Sequence, residues 1–277
     1  MATAADFLTD PFFEKFRTLI YDASGITFST SNRPILESRL RERLRQVQLG
    51  DLGAYLALIQ KNPEEMKAFL DSVTTNLTRF FRNQIQFDSL EHDVLPDLVQ
   101  YKRKKGLDRR VRIWSAGCST GEEPYTLAMI LKDKLPADFA FDVLASDLSL
   151  KSLMTAQQGF YQDSKMQGVP ESYLGRFFVK VNDGYQIKDE IKARVKFDYH
   201  NLKFDSGQRN VDAIFCRNVL IYFDEAAQKN VVDLFWQSLT EHSYFFIGHS
   251  ESLFGMNTRF KFLKTDRAVL YTKILDA

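Results

Sequence analysis

RVRIWSAGCSTGEEPYTLAM, residues 110–129, decides the fold. VRIWSAG is rich in β-branched and aromatic side chains and predicts a strand. A turn bearing Gly117 and Gly121 follows, and EEPYTLAMILKDKL predicts a helix. Strand, glycine turn and helix are how a parallel sheet offers a nucleotide the free N–H groups at a helix start. Yet the two glycines do not complete G-x-G-x-x-G, and Glu122 and Glu123 stand where phosphate would bind. Two carboxylates there repel a pyrophosphate by roughly 1–4 kcal/mol per charge pair at ~4 Å. The loop suits a ligand with a positive centre and no phosphate. Asp147 closes the next predicted strand, FDVLASD, where an acid in such folds takes ribose hydroxyls. A cationic, phosphate-free adenosine derivative is S-adenosylmethionine. The plainer alternative is that the glutamates complement the helix dipole and that Asp147 caps the helix beginning at Ser149-Leu150.

Downstream, strands and helices keep alternating. LSLKSLMTAQQG predicts a helix, RVKFDYHNL and VDAIFCRN strands, EAAQKNVVDLFWQSL a helix, and YFFIG another strand. The pattern predicts an α/β fold with a mainly parallel sheet covered on both faces. RFKFLKTDRAVLYTKI reads as two strands joined by a tight Thr-Asp turn, an antiparallel hairpin that closes the sheet. RFFVKVNDGYQIKDEI (176–191) interrupts the alternation with a short hairpin around Asn182-Asp183-Gly184. Upstream, the texture is helical. FFEKFRTLIYDASG sets Phe12, Phe13, Phe16, Leu19 and Ile20 on one face and stops at Gly25. RPILESRLRERLRQVQLG keeps helical spacing to Gly50; DLGAYLALIQ and PEEMKAFLDSVTTNL follow, giving a compact helical bundle. QIQFDSLEHDVLPDLVQYKRKKG reads as one long helix or a pair, and KRKKGLDRR as an exposed linker.

Composition sets bounds. The net charge is +1, so attraction to polyanions must come from local clusters. No apolar run approaches the ~18–20 residues of a membrane span. The opening MATAADFLTDPFF lacks the basic and apolar regions of a signal peptide, which makes the cytoplasm the expected compartment. The two cysteines, Cys118 and Cys216, lie far apart, so neither a metal site nor a disulfide is expected.

TNLTRFFR (75–82), WSAGCSTGEEPY (114–125), ASDLS (145–149), Asn201-Leu202, IFCRNVLIYFD (214–224) and IGHSESL (247–253) resemble the motifs of the CheR family, the chemotaxis receptor glutamate O-methyltransferases. The resemblance runs in order over nearly the whole chain. It implies an all-α N-terminal domain (1–90), a linker helix and basic linker (91–110), and a methyltransferase domain (111–277). That last domain would be a class I, Rossmann-like S-adenosylmethionine methyltransferase sheet with an antiparallel C-terminal hairpin and a small β-subdomain inserted at about 176–191. Carried over by position, Asn76, Thr78 and Arg82 reach the cofactor from the N-terminal side. Gly117, Glu122, Glu123 and Asp147 hold its amino-acid end and ribose. Asn201 with Leu202, and Asn218 with Val219, line the adenine and the methyl-donor region. Arg82 and Tyr222 stand nearest the reaction.

The implied activity is methyl transfer from S-adenosylmethionine to receptor glutamates, leaving S-adenosylhomocysteine. A non-catalytic regulator that only binds the cofactor is the alternative, and a nicotinamide oxidoreductase a third. A base amino-methyltransferase would carry Asp/Asn-Pro-Pro-Tyr where this chain reads Cys-Arg-Asn-Val, and no Pro-Cys nucleophile occurs, so nucleic acid is not an expected partner. The family implies that the arginine-rich helix, with Arg33, Arg39, Arg41, Arg43 and Arg45, meets the acidic cytoplasmic methylation helices of chemoreceptors. The tight VNDGYQ turn lacks the longer glycine-bearing loop associated with binding a receptor's tail peptide, so tethering is not expected. Nothing calls for an obligate dimer or membrane insertion.

Overall fold

The structure is a computed structural model that describes residues 7–74 and 76–275. The amino-terminal reading falls partly on residues 1–6, and the first motif begins at Thr75; these positions lie outside the described residues.

The N-terminal helices begin and end on local signals. α1 (Asp10–Ser24) has Pro11 in its first turn and stops at Gly25, whose φ of 78° lets its N–H donate back to Tyr21 O. α2 (Arg33–Gln46) ends before the expected Gly50. Gln48 takes the left-handed conformation instead, and Leu49 N–H donates to Leu44 O at 3.0 Å. α3 (Leu52–Lys61) is capped by Asp51, and α4 (Pro63–Val73) by Asn62. Phe13, Phe16, Ile20, Leu36, Leu40, Tyr55 and Phe69 form their common core. The polar knot within it is Glu65, which accepts from Tyr55 Oη at 2.7 Å and from the Arg43 fork.

α5 (Gln84–Ser89) continues through a π turn, Leu90–Val94, into α6 (Leu95–Lys105). Pro96 cannot donate to the preceding turn, and the wider π turn accommodates it. The stretch expected as an exposed linker is therefore helical to Lys105. Lys102 is buried there, its Nζ 2.7 Å from Asp212 Oδ1.

The sheet is built from β1 (Arg110–Ala116), α7 (Glu122–Lys134), β2 (Ala140–Asp147) and α8 (Leu150–Gln158). A small β-unit follows: β3 (Phe160–Gln162), α9 (Glu171–Phe177), β4 (Phe178–Val181), β5 (Gly184–Ile187) and α10 (Asp189–Lys192). β6 (Val195–Tyr199), β7 (Val211–Cys216), α11 (Glu225–Ser238), β8 (Leu239–Ile247), β9 (Lys261–Lys264) and β10 (Val269–Ile274) complete it. The seven strands run β6-β2-β1-β7-β8-β10-β9, with β10 antiparallel to both neighbours. β7 is buried on both faces, which is why VDAIFC is apolar except for Asp212, whose charge Lys102 answers. The rings of Phe87, Phe215 and Phe246 stack in series and fix α5 to one face, while Val231, Val232 and Phe235 of α11 cover the other.

Two hairpins differ from expectation. The inserted sheet has three strands, β3-β5-β4, so the insertion reaches back to Phe160, and Arg176 and Phe177 belong to α9 rather than to a strand. The β9–β10 connection is not a tight Thr-Asp turn but spans 265–268, closed by Thr265 N–H to Ala268 O at 2.9 Å.

Candidate active site

The strand order reverses between β1 and β7, and the crevice outside their carboxyl ends is where such sheets bind ligands. A cavity of about 350 Å³ lies there, walled by the turns after β1, β2, β6 and β7 and roofed by the helical domain. The roof is pinned at three places. Asn201 Nδ2 donates to Ala23 O at 2.8 Å. Thr27 N–H donates to Tyr222 O at 2.8 Å, beside the Ile26–Phe223 bridge. Asp71 of α4 accepts from Ser149 Oγ and from Lys151 N–H at the start of α8.

Asn76, Thr78, Arg82, Gly117, Glu123, Asp147, Asn201, Leu202, Asn218, Val219 and Tyr222 all line this one cavity. Glu122 does not. It is fully buried; its Oε2 accepts from Thr120 Oγ1 at 2.6 Å, and its Oε1 has no partner among the described residues. Adjacent helical positions diverge by about 100°, so α7 can turn only one of the pair to the ligand. Burial pushes the Glu122 carboxyl above its usual range.

Glu123 is held rather than loose. Ser115 Oγ donates to its Oε1 at 2.7 Å, and Arg217 Nη1 to its Oε2 at 3.0 Å. Burial raises its pKa, and Arg217 opposes the rise. The expected pair of bare acids at the loop is thus one buried acid and one ion pair, so selection against phosphate is weaker there than the sequence implies. Asp147 accepts from Ser119 N–H and Ser149 N–H, each at 2.8 Å. It does not cap α8, whose N-cap is Ser149 with Oγ accepting from Ser152 N–H at 3.0 Å; Asp147 braces the turn before that cap and keeps lone pairs to spare for a ligand. Asn201 is engaged at both ends of its amide, since its Oδ1 accepts from Lys203 N–H at 3.0 Å.

Arg82 is presented by a strained turn. Phe81 and Asn83, on either side, have φ of 52° and 59°. Phe81 is kept there by edge contacts with Phe87 and Tyr173 and by its N–H on Thr126 Oγ1. Arg82 Nη1 donates to Leu77 O at 2.7 Å, leaving other N–H groups of the fork at the cavity. Across from it, Asn218 is also left-handed, and Glu251 of the IGHSESL motif holds that loop by accepting from Asn218 N–H and Ile221 N–H.

Several residues escaped sequence reasoning. Arg217, Ser119 and His200 line the cavity, as do Ile26, Phe28 and Ile35 from the helical domain. A charge directly after the apolar run AIFC of β7 was a usable signal for Arg217; the roof residues carry none. The arginines of α2 also differ from an open basic face. Arg43 is tied to Glu65, Arg41 to Glu37 at 2.7 Å, Arg39 lies 3.7 Å from Glu42, and Arg33 pairs with Asp10.

The lining fits S-adenosylmethionine. Asn218 Oδ1 is buried without a donor, as an acceptor awaiting an amino group would be. Asp147 can take ribose hydroxyls, Glu123 an ammonium, and Phe28, Leu148, Leu202 and Val219 give apolar walls.

A sheet of this order, with such a cavity at its reversal point and a helical roof, defines a class I S-adenosylmethionine-dependent methyltransferase. Residues 11–74 match the family described as CheR methyltransferase, all-alpha domain, and residues 76–269 the CheR methyltransferase, SAM binding domain. The chain is 33% identical over 274 residues to chemotaxis protein methyltransferase 2 of Vibrio cholerae, covering 96% of this chain and 94% of that one. It is 36% identical over 262 residues to the chemotaxis protein methyltransferase of Escherichia coli, covering 91% and 88%. The chain belongs to the CheR methyltransferase family, and S-adenosylmethionine is its cofactor. No helix among the described residues is long and apolar enough to cross a membrane.

Proposed function

We propose that this protein transfers the methyl group of S-adenosylmethionine to side-chain carboxylates of glutamates on the cytoplasmic helices of chemotaxis receptors. The observation that carries the reading is the pairing of Arg82 and Tyr222 at the cavity with an absence of any poised protein nucleophile among the described residues. Cys118 and Cys216 are buried, and burial holds both thiols far above their usual pKa. Burial also keeps His200 below the usual imidazole range. An acceptor that is already a nucleophile needs neither.

The bound cofactor supplies an electrophilic methyl on its sulfonium. The protein supplies position, and alignment alone is worth roughly 7–11 kcal/mol. Arg82 grips one oxygen of the incoming carboxylate through its planar fork and leaves the other to attack. Tyr222, whose carbonyl accepts from Thr27 N–H, lines the same cavity, and its ring would lie beside the reacting centre. Asn76 and Thr78 close the cofactor's open side, and Glu123 and Asp147 hold its amino end and ribose.

The mouth suits a helix as acceptor. Ile35, Leu77 and Ile221 line the cavity yet are 52%, 76% and 52% exposed, and they come from three separate segments of the chain. Together they offer an apolar seat around a guarded carboxylate hole, with Arg79 beside it. The seat adjoins α2 through Ile35, so an acidic receptor helix would run along that helix. The β4–β5 connection is only Asn182-Asp183, and the reading includes no tail-peptide tether on it. All the residues given a role here lie on one chain, and the reading takes the protein as a cytoplasmic monomer.

The test is transfer of tritiated methyl from the cofactor onto a receptor cytoplasmic fragment, with release of the label by mild alkali as a carboxyl ester must show. Loss of transfer in Arg82→Ala is expected. Tight S-adenosylhomocysteine binding with no transfer to any receptor fragment would favour the non-catalytic regulator.

A further inference from the structure

Arg217 has no task in the reaction just described, yet it is among the most constrained side chains in the cavity. Its side chain is 2% exposed, and burial lowers its pKa against the pull of Glu123. Nη1 donates to Glu123 Oε2 at 3.0 Å, and Nη2 donates to the backbone carbonyl of Arg82. The guanidinium lies 5.1 Å from the centre of the Phe87 ring. Its Nε–H has no acceptor among the described residues. A guanidinium placed only to hold the fold would have its N–H groups answered by protein.

We propose that Arg217 is the positioning residue that joins the two halves of the site, aiming Glu123 at the cofactor's amino end and pinning the backbone of Arg82. The proposal rests on the roles given above to Glu123 and Arg82. One planar fork reaches both partners, one on α7 and one in the strained turn before α5. Pinning the Arg82 carbonyl matters because the residues flanking it are both left-handed, a conformation that relaxes unless held. Lysine, a single point of charge, cannot serve two directions at once.

A pH signature separates this role from simple packing. Around Glu123 stand Arg217, Arg82, the Ser115 hydroxyl, the thiols of Cys118 and Cys216, and Glu122 on its own helix; Glu251 faces Arg217 from the other side. Burial favours the neutral Glu123, and Arg217 is the main force against it. Without Arg217, Glu123 protonates at a higher pH, and a neutral acid does not pair with the cofactor's ammonium. Affinity then falls as pH is lowered.

The experiment measures S-adenosylhomocysteine affinity by calorimetry from pH 6 to 8, and methyl-transfer kcat and KM, for the wild type, Arg217→Gln and Arg217→Lys. Arg217→Gln should lose affinity at a higher pH than the wild type, about tenfold for each pH unit below its shifted carboxyl pKa. Arg217→Lys should recover the wild-type profile, because it restores charge, while its kcat is depressed and KM for the cofactor changes little. A wild-type pH profile in a folded Arg217→Gln, or a wild-type kcat in Arg217→Lys, overturns the proposal; should the glutamine variant fail to fold, the lysine variant decides alone. A wild-type protein that does not bind S-adenosylhomocysteine removes the underlying reading and the proposal with it.

Discussion

Gly117 and Val219 meet so closely on the cavity wall that a Cβ on Gly117 would stand 2.5 Å from Val219 Cγ2. Gly117 also has φ of 83°, a conformation side chains resist. Gly117→Ala should therefore cost about 1–3 kcal/mol of stability and push Val219 into the ligand's space. Urea unfolding and S-adenosylhomocysteine titration read the two effects. Unchanged affinity would mean that this contact does not shape the cofactor pocket.

The adjacent glutamates should behave differently. Glu123→Gln replaces the ion-paired acid facing the cavity and should weaken cofactor affinity about tenfold or more, the loss of a charge-assisted bond. Glu122→Gln should leave affinity nearly unaltered. Because burial raises the Glu122 pKa, its neutral form suits the fold: that stability is full below about pH 4, the unfolded carboxyl range, and is lost as pH rises through the folded value. Glu122→Gln should abolish that loss and be relatively more stable than wild type at neutral pH than at pH 4. Melting temperatures across that range test it.

The aliphatic mouth predicts a change in acceptor binding alone. Leu77→Glu or Ile221→Glu places acid on the seat for an acidic helix. Each should raise KM for a receptor fragment about tenfold, as one unfavourable contact of roughly 1.4 kcal/mol implies, with cofactor affinity intact. An unaltered KM would move the acceptor seat elsewhere.

Lys102 and Asp212 form a buried pair between α6 and β7, with the Asp212 carboxylate also accepting from Arg112 N–H at 2.8 Å. Lys102→Met strands that carboxylate, and a stability loss of about 3–5 kcal/mol is expected. Chemical denaturation at pH 7 measures it.

On the same helix, Asp97 accepts from Tyr244 Oη of β8 at 2.6 Å and pairs with His242 Nε2. Burial pushes its carboxyl up, but these two bonds outweigh burial and hold it below the usual range. A lowered pKa gives stability that is present above about pH 4 and lost as pH falls through the folded value. Asp97→Asn should cost about 1 kcal/mol at pH 7, since the carboxylate is partly exposed, and the deficit should shrink progressively as pH falls below about 4. Unfolding curves taken at pH 7 and at a series of values below pH 4 decide.

The sequence's own periodicity determined the class of sheet and the N-terminal helices: VRIWSAG reads as a buried strand, and the glycine turn after β1 follows at once. The cavity residues Asn76, Thr78, Arg82, Asn201 and Asn218 were legible only because their motifs resemble a family's, and Arg217, Ser119 and His200 were not legible at all. What tertiary structure alone decided was direction and partnership. Which of Glu122 and Glu123 faces the ligand depends on how α7 rolls against the sheet, a rotation that local pattern does not set. That Arg43 belongs to Glu65, Asn201 to Ala23 and Arg217 to both Glu123 and Arg82 depends on contacts far apart in the chain. Charge pairing and roof closure are long-range events, and their energies exist only once the helical domain has docked on the sheet's edge.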